Sequence, residues 1–379
     1  MTILIAPDKF KGSLDSFELC QAMSEGILQV DPAREIILLP LADGGDGFGK
    51  VMAHYLHTTA VVEQTVNAIG KPMTAQYEWH AESRTAIIEL ATASGLTLLK
   101  DDERNPLQTS SYGTGLLVKS ALEKGAAKII LGVGGSATND GGTGILNAIG
   151  YRFLDSNNQE VYPCGGSLGD IQSIRLPEHP VDVEFIIACD VSNSLLGKNG
   201  AVFTYGSQKG ATENELQLLE DGMQNFAAVL EKQTGKSIAH LPGMGAAGGA
   251  PAGLMLLPNC KVQKGTDIIL SHSKLNDHLS GASFVFTGEG SFDKQTLNGK
   301  VVHAVASATK LTGIPVIAIC GKVAADHAMI AECGLTFITS ICNGPMTFEE
   351  SKQDAFNLVR FAAANITSLI VKSGTLRHE

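Results

Sequence analysis

The sequence predicts an α/β fold with two domains, and three observations support this prediction. The chain has 379 residues, which is more than one hydrophobic core usually serves. Its 44% hydrophobic and 18% charged residues are typical of a globular protein with a large buried interior. Near both ends of the chain, short apolar strands alternate with helical patterns, and this alternation indicates a parallel sheet covered by helices.

The elements follow in order from apolar periodicity and from turn residues. The first part of the chain predicts a strand, a helix, a second strand and a second helix, at residues 3–6, 14–30, 35–42 and 48–56. The middle predicts turn-linked strands of an antiparallel or mixed sheet, then a buried strand and a long helix, at residues 60–67, 74–80, 85–89, 185–189 and 214–234. In the last part the α/β rhythm returns, with helices at 267–279, 301–312 and 326–333 and strands at 283–287, 315–320 and 335–340.

Because the end of the chain resembles its beginning, we predict a discontinuous first domain. Residues 1–60 and 264–379 would form one doubly wound, Rossmann- or flavodoxin-like α/β domain. Residues 61–263 would form a mixed α/β domain inserted into it.

Composition and charge exclude several classes of function. The net charge of −11 gives no electrostatic support for binding nucleic acid. No apolar run reaches the ~18 residues of a transmembrane helix, and no secretory signal pattern begins the chain, so we expect no membrane partner. Seven cysteines without a C-x-x-C pair indicate reduced thiols and a cytoplasmic location.

The glycine-rich segment 132–144, here called the 132–144 loop, follows an apolar run and precedes a helical pattern. A strand, a glycine loop and a helix can cradle an anion, because glycine lets backbone N–H groups approach a ligand closely. The predicted contacts of a nucleotide's phosphates in this loop are Gly134, Gly135, Ser136, Thr138 and Asn139. A second glycine run at 243–253 contains Gly248 and is equally consistent with nucleotide binding or with close helix packing.

Several acidic residues and one asparagine follow apolar runs, at Asp8, Asp43, Asp190, Asn193, Glu289 and Asp293. In open α/β sheets the ligand lies outside the carboxyl ends of the strands, so these groups are expected near a site. Mg²⁺ is held by one or two carboxylates plus substrate phosphates, and a hydroxyl nucleophile needs a group that accepts its proton. We predict Asp190, Glu289 and Asp293 as metal ligands. Asp190 and Glu289 are also candidates for the general base, as an alternative to binding the metal.

Lysines accompany these acids. Lys9 and Lys11 follow Asp8, while Lys209 and Lys300 have glycine neighbours. Lysine serves phosphate and carboxylate as a flexible point charge. The residues alone therefore predict an enzyme that handles a phosphorylated nucleotide with a divalent metal, and they leave the acceptor open.

An alternative interpretation is an NAD-dependent hydroxy-acid dehydrogenase. The 132–144 loop also matches the dinucleotide-binding pattern G-x-G-x-x-A, and Asp155 follows at about the spacing of a ribose contact. This alternative assigns no role to Asn139 or Asp140.

Nine segments in order make the chain similar to the bacterial glycerate kinase family, type I, at residues 6–13, 42–47, 91–96, 109–115, 132–144, 188–191, 208–211, 245–249 and 287–290. The resemblance extends from residue 1 to about residue 370. It implies two α/β domains with the active site in the cleft between them. It also implies transfer of the γ-phosphoryl group of ATP to D-glycerate with Mg²⁺. Many members of the family give 2-phospho-D-glycerate, and the sequence leaves the choice between the 2- and the 3-hydroxyl open. We expect a monomer or homodimer.

The resemblance also assigns residues to the acceptor. Those expected to hold glycerate are Asp8, Lys9, Asp43, Ser94 and Asn193. Lys11 would face the carboxylate of glycerate as a catalytic cation. Ser291 stands where arginine is usual in this family, so another cation must replace it, and Lys9 is the predicted candidate.

Overall fold

Two units divide the chain, which the computed structural model describes over residues 2–294 and 296–374. Unit 1 consists of Met1–Asp43 and Thr266–Glu379, and unit 2 consists of Gly44–Gly265. The chain therefore leaves unit 1 after Asp43 and returns to it at Thr266.

The described residues form fifteen strands, which are β1 Thr2–Ile5, β2 Glu35–Leu38, β3 Thr59–Val66, β4 Pro72–His80, β5 Thr85–Glu89, β6 Lys128–Gly132, β7 Arg152–Leu154, β8 Ser173–Arg175, β9 Glu184–Ala188, β10 Cys260–Gln263, β11 Ala282–Thr287, β12 Ser291–Phe292, β13 Val316–Cys320, β14 Lys322–Val323 and β15 Phe337–Ser340. The same residues form fourteen α-helices, which are α1 Ser16–Val30, α2 Phe48–Leu56, α3 Ala91–Ser94, α4 Tyr112–Glu123, α5 Thr143–Ala148, α6 Ala201–Tyr205, α7 Glu213–Thr234, α8 Ala250–Leu254, α9 Gly265–Ser273, α10 Leu275–Leu279, α11 Val301–Thr309, α12 His327–Cys333, α13 Phe348–Gln353 and α14 Ala355–Lys372.

Unit 1 is built around a five-stranded parallel sheet in the order β15-β13-β11-β1-β2. Numbered by their order along the unit, these strands run 2-1-3-4-5, which is the flavodoxin-like arrangement of doubly wound sheets. The chain direction across the sheet reverses between β1 and β11, so the switch point lies there. Doubly wound sheets bind their ligands outside the strand ends at this point.

Helix α1 shows how the sequence produces this unit. Its first turn carries a capping box, in which the Asp15 side chain accepts the N–H of Glu18 and the Glu18 side chain accepts the N–H of Asp15. Leu19 and Met23 are four residues apart, so they lie on one face of the helix and are buried with Val359 of α14. The predicted helix at 14–30 is thus observed from its cap onward.

Unit 2 contains a six-stranded mixed sheet in the order β10-β9-β6-β5-β4-β3. Strands β10, β9, β6 and β5 are parallel, β4 pairs antiparallel with β5, and β3 pairs antiparallel with β4. The two antiparallel strands are connected by a short turn around Gly70, whose positive φ of 78° suits glycine. The predicted α/β class is confirmed, with a parallel sheet in one unit and a mixed sheet in the other.

Three details differ from the sequence-based expectation. The first domain was expected to extend to residue 60, but α2 lies in unit 2, where it packs against β4 and β5. The single helix expected at 267–279 is broken into α9 and α10, because Lys274 adopts a left-handed conformation with a φ of 52°. Strands β7 and β8, which pair with each other outside both main sheets, were not predicted because each has only three residues.

Across residues 2–294 and 296–374, no helix is both long enough and apolar enough to cross a membrane.

Candidate functional site

A cavity of about 680 Å³ lies in unit 1 at the carboxyl ends of its sheet. Segments that follow all five strands of that sheet contribute to its lining. Asp8 and Glu289 come after β1 and β11, so they lie at the switch point. The N–H of Asp8 donates to the carbonyl of Gly288 over 2.9 Å, which extends the pairing of these strands up to the two acids. Two of the acids predicted from the sequence therefore meet where this type of sheet binds ligands.

Lys9 joins two of the predicted substrate residues. Its Nζ lies 3.0 Å from Oδ1 of Asp43 and 3.4 Å from Oδ1 of Asp8. Burial raises the pKa of Asp8 to about 6, and the nearby Asp43 charge adds to this effect while Lys9 opposes it. Burial would lower the pKa of Lys9, but the two carboxylates outweigh it and raise that pKa above its usual value. The structure thus brings Asp8, Lys9 and Asp43 together, with the cation held by both acids.

Glu289 is the second buried acid of the cavity, with only 4% of its surface exposed. Burial raises its pKa to about 7, opposed by a hydrogen bond from Thr296 and by the charge of Lys300, whereas the charges of Asp8 and Asp293 raise it further. Thr296 donates its hydroxyl to Oε1 of Glu289 and so fixes the carboxyl group. A carboxyl group with a pKa near neutrality can accept and release a proton at physiological pH. Thr296 was missed because nothing in its sequence context marks it.

Lysines outnumber acids among the charged residues that line the cavity. Of the described residues that line it, five are lysines and three are acids, namely Lys9, Lys11, Lys300, Lys322, Lys352, Asp8, Asp43 and Glu289. Lys11 is exposed and lines the cavity. The acidic chain therefore gathers cations in one place.

Lys322 and Lys352 were not predicted. Lys322 of β14 stands directly opposite Ser291 of β12 in the register of this parallel pair. A cation therefore lies beside the position where the family resemblance implies arginine, whereas the predicted replacement, Lys9, is already held by two acids. Lys322 follows a buried strand, so the strand-end pattern used for the acids would have found it. Lys352 lies in α13 and carries no such signal.

In unit 2, the 132–144 loop follows β6 and leads into α5, as predicted. Lys209 lies against it, with only 2% of its surface exposed. Its Nζ donates to Oγ of Ser136 over 2.9 Å and to the carbonyl of Thr138 over 2.6 Å. Burial lowers the pKa of Lys209 to about 7, while the charge of Asp140 opposes this shift. The predicted residues Lys209, Ser136 and Thr138 therefore form one contiguous cluster.

Asp140 shapes the loop from inside. Its carboxylate accepts hydrogen bonds from the N–H and the hydroxyl of Ser111, both at 2.7 Å, and from the N–H groups of Gly142 and Gly144, both at 3.2 Å. Two glycines predicted to admit a phosphate, Gly134 and Gly135, instead pack against the chain's own segment 45–46. These glycines thus serve internal packing in the structure.

The side chains of Asn139 and Thr138 are buried polar groups without hydrogen-bond partners among the described residues. Both are fully buried, and neither the amide of Asn139 nor the hydroxyl of Thr138 has a hydrogen-bond partner among the described residues. A buried polar group left unpaired costs about 1–3 kcal/mol. Gly248 packs directly over them, since a Cβ on it would stand 2.1 Å from the carbonyl of Thr138. The amide of Asn139 and the hydroxyl of Thr138 therefore have unused hydrogen-bonding capacity.

Asp190 lies at the end of β9, where the sequence predicted a base or metal ligand. Its Oδ2 accepts the N–H of Gly44 over 2.5 Å and the N–H of Gly265 over 3.1 Å. These glycines are the first and last residues of unit 2. The carboxylate therefore holds together the two points at which the chain enters and leaves this unit.

Ser94 and Asn193 were predicted to hold the substrate, and both lie in unit 2. Ser94 is fully buried and accepts a hydrogen bond from the hydroxyl of Thr114 over 2.8 Å. Asn193 donates to the carbonyl of Asn199 over 2.7 Å and accepts from the hydroxyl of Tyr205 over 2.8 Å. These contacts give both residues structural partners within unit 2, and they place neither in the lining of the unit 1 cavity.

The dehydrogenase alternative finds no support in the geometry. A dinucleotide-binding acid lies at the end of the next parallel strand, where it meets the ribose. Asp155 instead follows β7, which pairs antiparallel with β8 outside the main sheet. Its Oδ1 accepts the N–H groups of Asn157 and Gln159 and so forms a local turn.

The acids of the unit 1 cavity bear on where a metal ion could bind. Within residues 2–294 and 296–374, no cluster of three or more His, Cys, Asp or Glu side chains is arranged to hold a metal. Glu289 and Asp293 lie close enough for the charge of one to affect the other. A pair of carboxylates in the presence of phosphate oxygens fits Mg²⁺, which commonly uses one or two protein carboxylates.

Comparisons with known proteins agree on one family. A model of the glycerate kinase family matches residues 3–371. A glycerate kinase of Halalkalibacterium halodurans is 39% identical over 96% of this chain and 97% of its own length. The glycerate 2-kinase of Escherichia coli is 36% identical over 98% of both chains. The crystal structure of a putative glycerate kinase 2 from Salmonella typhimurium matches with a TM-score of 0.84 at 35% identity, covering 99% of this chain and 100% of that one.

Proposed function

This chain belongs to the glycerate kinase family, and we propose that it transfers the γ-phosphoryl group of ATP to D-glycerate, giving 2-phospho-D-glycerate. The observation that carries this proposal is the pair of buried acids, Asp8 and Glu289, at the switch point of a lysine-lined cavity. The choice of the 2-hydroxyl is supported by the Escherichia coli relative, which is named a glycerate 2-kinase.

Glycerate occupies the cavity of unit 1 in this proposal. Lys11 faces the carboxylate of glycerate, and Asp8 and Asp43 accept hydrogen bonds from its hydroxyl groups. Lys9 keeps these two acids in place, because its ammonium group bridges them. Phosphoryl transfer depends mainly on such positioning and on the neutralisation of charge.

Glu289 acts as the general base. It accepts the proton of the attacking hydroxyl as the oxygen of that hydroxyl forms its bond to phosphorus and the bond from phosphorus to the leaving ADP oxygen breaks. The pKa of about 7 suits this task, because the ionised form is abundant at neutral pH while proton transfer to it remains favourable. Thr296 orients the carboxyl group through its hydrogen bond.

For the metal we propose Asp293 as the protein ligand in unit 1, with phosphate oxygens of ATP completing the coordination. When bound, Mg²⁺ neutralises the charge of the phosphates. Asp190 remains a predicted ligand or base in unit 2, and its contacts with Gly44 and Gly265 supply a competing structural explanation.

For the nucleotide we propose the cluster in unit 2. Lys209 and Ser136 present a cation and a hydroxyl, and Thr138 and Asn139 offer polar groups that lack partners in the described chain. Gly248 packs against the backbone of Thr138 and Asn139. The predicted Gly134 and Gly135 allow the loop to pack closely against segment 45–46. The unpaired Asn139 amide is the strongest support for a ligand there.

The direct test is to incubate the protein with ATP, Mg²⁺ and D-glycerate and to identify the product by phosphorus NMR. We expect 2-phosphoglycerate and ADP in equal amounts. Absence of a phosphoglycerate in wild-type protein would contradict the proposed activity, and 3-phosphoglycerate would contradict its regiochemistry. Glu289→Gln is the matched control, because it removes the proposed base while keeping the size of the side chain.

We also propose a cytoplasmic location and a monomeric or homodimeric state. The described cysteines are all free thiols, which agrees with a reducing compartment. Size-exclusion chromatography with light scattering measures the oligomeric state directly.

A further inference from the structure

The cavity of unit 1 holds more positive charge than glycerate needs. Five lysines and three acids line it, so even with every acid ionised its lining carries a net charge of +2, in a chain whose net charge is −11. Lys9 is paired with Asp8 and Asp43. The ammonium groups of Lys322 and Lys352 form no ion pair with any acid in the described chain.

These two lysines reach the cavity from separate elements. Lys322 lies on β14 opposite Ser291, a residue of the segment that follows Glu289. Lys352 lies on α13, and its Nζ stands 3.7 Å from the point where a Cβ on Gly12 would lie. Its carbonyl accepts the hydroxyl of Ser13 over 2.9 Å, which ties α13 to the loop carrying Lys11. Both lysines are thus anchored to the loops that form the proposed acceptor site.

The cavity is also larger than glycerate. Glycerate has only seven non-hydrogen atoms, and at about 30 Å³ each, the share of a water molecule in the liquid, it fills roughly 200 Å³. The cavity measures about 680 Å³. Space therefore remains beside glycerate for a further group of similar size.

We propose that Lys322 and Lys352 form a subsite for a phosphoryl dianion in this cavity. A phosphoryl group adds about −1.5 to −2 charge at neutral pH and three strong acceptor oxygens, which matches two free ammonium groups. This inference rests on the proposed function, and it gives a role to two lysines that the proposed function did not use. The phosphoryl group belongs either to 2-phosphoglycerate or to the nucleotide, and the experiment separates these two sources.

The experiment measures binding by isothermal titration calorimetry at fixed ionic strength. The probes are 2-phosphoglycerate, D-glycerate and ADP with Mg²⁺, each titrated into wild type, Lys322→Gln, Lys352→Gln and the double variant. Lys310→Gln is the matched control, since Lys310 is an exposed lysine of unit 1 outside the cavity lining. Circular dichroism confirms that each variant is folded.

We expect each single variant to bind 2-phosphoglycerate about tenfold more weakly, and the double variant about a hundredfold, because each loses one charge-assisted hydrogen bond. Glycerate affinity stays within twofold of wild type, and Lys322→Arg restores the affinity for 2-phosphoglycerate. Weakening of 2-phosphoglycerate alone assigns the subsite to the product, and weakening of ADP alone assigns it to the nucleotide.

Unchanged affinity of the double variant for both phosphorylated ligands would overturn the subsite. So would an equal loss of affinity for glycerate, because the lysines would then serve the carboxylate. The phosphorus NMR assay of wild-type protein tests the proposed function independently. Turnover of glycerate by wild type together with unchanged binding by the variants rejects the subsite and retains the kinase activity.

Discussion

At the scale of single residues, Asp8 and Glu289 are the two buried acids of the unit 1 cavity, and we propose that they carry its chemistry. Burial is the largest cause of the raised pKa in both acids. The charge of Asp43 raises the pKa of Asp8 further, and the charges of Asp8 and Asp293 raise that of Glu289. The strand-end pattern predicted that both acids lie at one edge of the sheet, and both follow neighbouring parallel strands there. Their pKa values were beyond sequence reasoning, because they depend on partners such as Thr296 that are close only in space.

We predict that kcat/KM for glycerate, measured at saturating ATP, is flat above pH 7, falls about tenfold per pH unit between pH 7 and pH 6, and falls more steeply below pH 6, where Asp8 is protonated as well. Glu289 must be ionised to accept a proton, and its pKa is about 7. A pH–rate profile of the wild-type enzyme checks this. Glu289→Gln should lower kcat by at least ~10²-fold and abolish this ionisation. A profile with the same inflection in Glu289→Gln would assign the ionisation to another group.

The stability of the same variant supplies a second prediction. The folded state raises the pKa of Glu289 from 4.5 to about 7, so the folded protein loses stability as the pH rises through this interval. Glutamine cannot ionise, so we expect Glu289→Gln to raise the Tm at pH 8 relative to wild type. At pH 4 the carboxyl is protonated in both states and the two proteins should melt alike. Equal Tm values at pH 8 would contradict the burial of an ionised carboxylate.

Asp190 has two competing roles, and Asp190→Asn distinguishes them. Asparagine retains one oxygen that can accept the N–H groups of Gly44 and Gly265, so the structural contacts can persist. If Asp190 is a base or metal ligand, kcat falls by at least ~10²-fold in a folded protein. Near-wild-type turnover would restrict Asp190 to holding the two ends of unit 2. Steady-state kinetics with a melting curve decides between them.

At the scale of elements, the 132–144 loop illustrates what a motif can and cannot predict. The strand before it and the helix after it were recognised from apolar patterns, and both are present as β6 and α5. The packing role of the glycines could not be predicted from the motif, because Gly134 packs against Gly45, nearly ninety positions earlier in the chain. Lys209 was chosen for its glycine neighbour, yet its burial against Ser136 arises from a tertiary contact.

We predict that Lys209→Met raises KM for ATP at least tenfold while KM for glycerate stays within twofold. A bound phosphate would also favour the charged form of Lys209, whose pKa of about 7 leaves it partly neutral. ADP binding to wild type at pH 7.5 should therefore take up protons. Calorimetry in two buffers with different ionisation heats measures this uptake, and Lys209→Met should reduce it. Unchanged KM values and proton uptake in the variant would remove Lys209 from the nucleotide site.

At the scale of the whole molecule, the sequence predicted which end segments share a sheet. It predicted neither the unit boundary nor all of the contacts between distant elements. The return of the α/β rhythm after residue 264 predicted that the last part of the chain shares a sheet with the first, and β11 does pair with β1. The boundary after residue 60 was too late, since periodicity identifies α2 as a helix without showing which sheet it covers. Lysines were expected beside the acids from their positions in the sequence, but Lys352 joins the cavity only because α13 folds onto the loop after β1.

Gly44 and Gly265 lie so close that a Cβ on Gly265 would stand 2.4 Å from the Cα of Gly44. The segment 44–265 therefore begins and ends at one place, and to unit 1 it is equivalent to a single long loop between β2 and α9. A host domain tolerates an insertion whose two ends are adjacent, because the strands of the host sheet keep their positions. In evolutionary terms, a gene could acquire, exchange or circularly permute this segment while the connectivity of the host sheet remained the same.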